Sequence, residues 1–262
     1  CSISGFGDTE VNRPAYDNLI QGYAGAMSIT GTDKENPVKS GIPIADLGAG
    51  LYAVIGILSA IQSREKNNSG EHVDISMLDT QVSLLTYMAT MHFLSGENPE
   101  PIGNQHMNHV PFNSYRTSDG FIQIGVVAED FWPSLIEALD LRQLDTEENK
   151  VRIGRLKNRE KIDQAVQDVF ITNTTAHWLK ILQEHRVPCG PINTLSETFQ
   201  DNDLLKRNMI VEVLQDSGAS VKMPGNPVKI SNHDEEFRRS PKLGEHTAEI
   251  FKTWLDKDIS VD

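Results

Sequence analysis

Cysteine is almost missing from this sequence: Cys1 and Cys189 are the only two among 262 residues. Two thiols so far apart exclude a disulfide framework and lack zinc-cluster spacing, so a reducing, cytoplasmic setting is expected. Basic residues are scarce too, 24 Lys and Arg against 37 Asp and Glu, a formal net charge of −13. That acid excess argues against broad docking on nucleic acid or anionic lipid, which needs clustered cations. Long apolar runs are also lacking. A bilayer span takes about 18 or more apolar residues, and the longest stretch, 47 to 61, is interrupted by Gly48, Gly50, Gly56 and Ser59, so no membrane anchor is expected. The first residues offer neither a methionine nor a basic n-region, so no signal peptide is expected and the sequence reads as the middle of a longer chain. What is present is ordinary globular usage, 38% hydrophobic and 23% charged, enough for one or two buried cores.

Asp46 stands where an N-cap should, ahead of a helix expected over 47 to 65 that is apolar on nearly every face and stops at Asn67-Asn68-Ser69-Gly70. Period-two alternation predicts a strand over 72 to 77, followed by one helix running to His92 or Leu94 and ending at Gly96. Residues 96 to 111 collect Gly, Pro and Asn and read as a linker between domains. A hairpin is predicted from 112–117 and 121–127 around Asp119-Gly120, then helices over 130–139, 158–170 and 175–185. Ile162, Ala165, Val166, Val169 and Phe170 share one helical face, and the unit closes near 187 to 191. The tail is expected to hold a helix over 194–207, strands over 210–214 and 227–231, and a last helix from Thr247.

Asp46 is the carboxylate of most interest. Capping is the plainer role, but a helix N-terminus favours negative charge, and Gly48 and Gly50 would let a substrate approach. Gly48, Gly50 and Gly56 do not make the Gly-x-Gly-x-x-Gly of a dinucleotide site, because the third comes too late. His106 and His109 lack the further ligands of a metal site, and Cys189, in an apolar turn without a base, reads as inert packing. The acceptor-like triplets at Asn67 and Asn173 are chance matches in a chain without a secretory signal.

Seven segments fall in one order: Cys1-Ser-Ile-Ser-Gly-Phe-Gly7, Arg13-Pro-Ala-Tyr-Asp17, Gly25-Ala-Met-Ser-Ile-Thr-Gly31, Gly41-Ile-Pro-Ile-Ala-Asp46, Pro111 to Gly120, Gly190-Pro-Ile-Asn193 and Leu243-Gly-Glu-His-Thr247. Together they resemble the class III CoA-transferases, the family that also includes α-methylacyl-CoA racemase. The resemblance implies an α/β protein with a Rossmann-like large domain, here incomplete, over 1–98, a smaller α/β domain over 99–187, and a segment, 188–262, returning to the first. It also implies an interlocked homodimer, acyl-CoA and carboxylic acid substrates, and no permanently bound cofactor, coenzyme A entering as a thioester.

By the same resemblance Asp46 is the catalytic nucleophile, passing through aspartyl-anhydride and aspartyl-CoA intermediates. Tyr16 and Asp17 are catalytic neighbours, and Gly103, Asn104 and Gln105 match the glycine loop that closes over CoA. The racemase branch carries a His where this chain has Tyr16, and a phenol, of pKa about 10, is a poor base near neutrality, so transfer is favoured over racemisation. The chain departs from the family at 7 to 13 and lacks the βα units with which members begin. A noncatalytic fragment is therefore the other reading, and residues 1 to 262 alone are expected to bind CoA poorly. The acyl group and acceptor are not identified.

Overall fold

The computed structural model describes residues 1–10 and 12–256, which fall into two compact units divided between Pro191 and Ile192. The last six residues of the 188–262 segment lie outside the described residues.

In the first unit β1 (Ser2–Ser4) pairs in parallel with β2 (Asp74–Ser76), Ile3 facing Ile75. Between them run α1 (Asp17–Tyr23) and α2 (Ile44–Asn67), and after them α3 (Met77–Leu84) and α4 (Tyr87–Ser95). The Ser-Gly-Phe-Gly turn after β1 is locally determined. Gly7 takes φ +87 and donates its N–H to Ser4 Oγ, and a side chain at Gly5 would strike Ala15. Arg13 stacks its guanidinium 3.7 Å from the Phe6 ring centroid and 4.8 Å from that of Tyr23, fastening this turn to α1.

α2 is two-sided. Ala45, Gly48, Ala49 and Ala53 are buried, whereas Leu47, Leu51, Val54, Ile55 and Leu58 are exposed. By length and composition alone this 24-residue helix is long and apolar enough to cross a membrane, which corrects the expectation that its glycines rule out such a stretch. A Cβ on Gly48 would lie 2.9 Å from Thr80 Cγ2 and one on Gly56 2.7 Å from Val73 Cγ1, so the missing side chains let α2 lie close against α3 and β2. Gly48→Val is expected to cost about 1–3 kcal/mol. Gly50→Ala, with nothing within 4 Å, should instead gain up to about 1 kcal/mol. Thermal melts of the two variants check the pair.

The core of the unit is richest over 110 to 187, where β3 (Phe112–Arg116), β4 (Phe121–Gly125) and β5 (Cys189–Pro191) form an antiparallel sheet in the order β3-β4-β5. The sheet packs on α5 (Phe131–Ala138), α7 (Arg159–Phe170) and α8 (Thr175–Glu184) through Ile122, Ile124, Trp132, Leu135, Ile162 and Phe170. Asp119 in the hairpin turn accepts the Thr175 N–H at 2.8 Å, tying the turn to α8. α6 (Arg152–Lys157) carries a fully buried arginine, Arg155.

The second unit holds α9 (Leu195–Thr198), α10 (Asn202–Lys206), the antiparallel pair β6 (Ile210–Leu214) and β7 (Ser220–Pro224), and α11 (Thr247–Leu255). Three sequence expectations change. The helix after β2 breaks into α3 and α4 at Thr86, which takes φ +51. The 194–207 helix divides because Asp201 caps a new one, its carboxylate accepting the Asp203 and Leu204 amides. The partner of β6 is β7 across a turn at Gly218, φ +81, and 227–231 forms no strand.

Candidate active site at two helix N-termini

Tyr16, Asp17 and Asp46 come from the starts of α1 and α2. Tyr16 is the extended N-cap of α1, its side chain 73% exposed. Asp17, the first residue of α1, is half-buried and directed across to α2: Oδ1 accepts the Ala45 N–H at 2.9 Å and Oδ2 accepts Gln21 Nε2 at 2.6 Å.

Asp46 is not the cap expected from sequence. α2 begins earlier, with Pro43 as N-cap and Asp46 inside the first turn, and Leu47 N–H already bonds the Pro43 carbonyl at 3.0 Å. Proline has no side-chain oxygen to give the first amides, so the acceptor for Ala45 comes from Asp17 instead. That frees the Asp46 carboxylate, which is exposed and has no hydrogen-bond partner among the described residues. It stands at the positive end of a 24-residue helix. Gly48 serves helix packing rather than access to this carboxylate, while Gly50 faces open space.

The loop of Gly103, Asn104 and Gln105 is pinned at each residue. Gly103, at φ +63, donates its N–H to the Gly31 carbonyl at 2.7 Å; Asn104 Nδ2 donates to Ser114 Oγ at 2.7 Å; Gln105 Oε1 accepts from Arg159 at 3.4 Å. No hydrogen bond among the described residues joins it to Asp46. Nearby, the His106 and His109 rings lie 4.7 Å apart, and burial, then the charges of His106, Arg152 and Arg155, push His109 below the usual histidine range. Among the described residues no cluster of three or more His, Cys, Asp or Glu side chains is arranged to hold a metal. Cys189 pairs with Ile124 in the small sheet, and burial pushes its thiol up, away from thiolate chemistry.

Sequence reasoning missed Gln21, which is 1% exposed and whose Oε1 accepts the Ser40 N–H at 2.8 Å. The signal was its place four residues after Asp17 on one helix, where a carboxylate and an amide meet.

The profile of CoA-transferase family III matches residues 1–247. Human succinyl-CoA:glutarate CoA-transferase is 30% identical, the alignment covering 98% of this chain and 60% of the human protein. The acetyl-CoA:oxalate CoA-transferase of Acetobacter aceti is 31% identical over 96% of this chain and 65% of its own. Among solved structures, a CAIB/BAIF family protein from Brucella suis matches with a TM-score of 0.81 at 33% identity, covering 95% of this chain and 66% of that one. The chain thus spans 60% and 65% of the length of these two curated relatives. The profile match across nearly the whole sequence, and a shared fold at 33% identity, establish that the chain belongs to CoA-transferase family III.

Proposed function

We propose that this protein moves CoA from an acyl-CoA thioester to a free carboxylic acid, with Asp46 as nucleophile. The observation that carries the reading is the Asp46 carboxylate, exposed and unpartnered among the described residues in the first turn of α2. Its oxygen adds to the thioester carbonyl, and collapse of the tetrahedral oxyanion breaks the C–S bond, leaving an acyl-aspartyl anhydride and CoA thiolate. The thiolate attacks the aspartyl carbonyl, the donor acid leaves, and Asp46 carries CoA. An acceptor carboxylate then attacks this thioester, and thiolate passes to the acceptor's carbonyl, restoring Asp46. Every step exchanges partners at a carboxyl carbon without oxidation or reduction. Each oxyanion forms near the positive end of α2, where charge development is favoured.

In this reading the exposed Tyr16 hydroxyl meets the substrate, and Gly103, Asn104 and Gln105 contact CoA. Residues 1–98 and 188–262 belong to one domain and 99–187 to the other, in a cytoplasmic homodimer acting without nucleic acid or membrane. Two unpaired cysteines support the cytoplasmic setting, a net charge of −13 the absence of nucleic acid, and the exposed apolar side of α2 a partner copy. The relatives' names pair CoA donors with diacids, glutarate and oxalate, so a dicarboxylic acid is the acceptor class to test first.

Incubation with succinyl-CoA without acceptor, then proteolysis and mass spectrometry, is expected to find CoA on the peptide containing Asp46, in a linkage that hydroxylamine removes. Turnover with that peptide unmodified after rapid quenching would falsify the assignment.

A further inference from the structure

The geometry points to Gln21 as a positioning residue for Asp46, acting through Asp17, which thereby becomes a brace rather than a reacting group. The inference rests on the reading of Asp46 as nucleophile.

Three observations carry it. First, α2 starts at Pro43, which has no side-chain acceptor, and the amide of Ala45, the residue before Asp46, is satisfied from 28 positions upstream by Asp17 Oδ1 at 2.9 Å. Second, the other oxygen of Asp17 is engaged by Gln21 Nε2 at 2.6 Å, so the carboxylate is oriented from both sides. Third, Gln21 is 1% exposed, and its remaining polar atom, Oε1, takes the Ser40 N–H at 2.8 Å. A carboxylate only accepts and a backbone amide only donates, so Gln21 can satisfy both in one orientation alone. One buried side chain therefore ties α1, the strand of chain entering α2, and, through Asp17, the first turn of α2. Small misplacement of a reacting group costs rate steeply, so this brace should appear in kcat rather than in KM.

The polarity of the network supplies the test. Asp17→Asn keeps an oxygen for the Ala45 amide but sets an N–H₂ against Gln21 Nε2, and turning Gln21 over moves the conflict to Ser40. The double variant Asp17→Asn with Gln21→Glu restores all three hydrogen bonds with the middle one reversed and leaves the net charge unchanged. We expect Asp17→Asn to lower kcat roughly 10- to 100-fold with little change in the KM for acyl-CoA. Its Ala45 amide should exchange deuterium faster than in wild type. The double variant should recover slow exchange and most of kcat. Slow exchange without recovery of kcat would overturn the inference, because the Asp17 carboxylate itself would then be required. Should a buried glutamate prevent folding, Gln21→Met keeps length without polarity. It is expected to lose kcat at unchanged KM, and full activity in it would also overturn the inference. Full activity of Asp46→Ala would overturn the nucleophile reading instead, whatever the brace variants do.

Discussion

Replacing Asp46 with Ala or Asn is expected to lower the rate of CoA transfer roughly a thousandfold or more, because in the proposed mechanism both covalent intermediates form on its carboxylate. The fold should barely notice. The side chain is exposed and makes no hydrogen bond among the described residues, so the stability at stake is its favourable interaction with the start of α2, about 0.3–1 kcal/mol. Initial rates with acyl-CoA and a dicarboxylate, beside thermal melts of the same samples, separate the two effects. A variant that keeps half the activity would remove Asp46 from the mechanism.

Arg155→Met is the corresponding experiment on stability. The guanidinium is 0% exposed and makes four hydrogen bonds: Nε to the Val110 carbonyl, Nη1 to those of Asn149 and Lys150, and Nη2 to Glu129 at 2.7 Å. It also lies 5.3 Å from the Trp132 ring centroid. A methionine fills much of the volume but abandons carbonyls held away from water, so the loss should be about 3–5 kcal/mol. Urea unfolding followed by tryptophan fluorescence measures it, and a loss under 1 kcal/mol would contradict this account. Glu129, half of whose side chain meets solvent, adds a pH signature. Burial alone would raise its carboxyl, but the Arg155 hydrogen bond and charge outweigh it and hold the group below the usual glutamate range. A depressed carboxyl stabilises above its unfolded value and loses that contribution as pH falls through the folded one. The acid-side decline in stability should accordingly be shallower in Arg155→Met.

Much of the region over 110 to 187 was readable because its elements obey local rules. Asp119-Gly120 marks the hairpin, and the 162, 166 and 170 face of α7 is buried as its periodicity requires. The region of Asp46 was harder. Sequence placed a helix there and picked the carboxylate, but assigned it the cap, since the carboxylate that accepts the Ala45 amide sits 28 residues upstream on another helix. Arg155 was invisible because it is buried against backbone carbonyls, which no side-chain motif announces; Gln21 carried a local signal in its spacing from Asp17, but its second partner, Ser40, is nonlocal. The break at Thr86 also went unforeseen, because a β-branched residue at positive φ runs against its local preference. Where local chemistry decides, as at Asp201 and Gly218, the signals were present in the sequence, an N-capping aspartate and a turn glycine.

The segment joining α1 to α2 is fastened near its ends and held more lightly in its middle, by the Asp33 turn and an exposed Lys34–Glu100 ion pair. Gly31 accepts the Gly103 amide and Ser40 is held by Gln21, while 32 to 39 lie exposed. The entropy of closing a flexible loop grows only with the logarithm of its length, about 0.6 kcal/mol for each doubling. Insertions and deletions in that middle are therefore expected to be nearly neutral for the carboxylate proposed as nucleophile, since the start of α2 is held by Asp17 and Gln21 as well as by the chain immediately before it. Length variation can accumulate a few residues from Asp46 over evolutionary time and still leave the first turn of α2 in place.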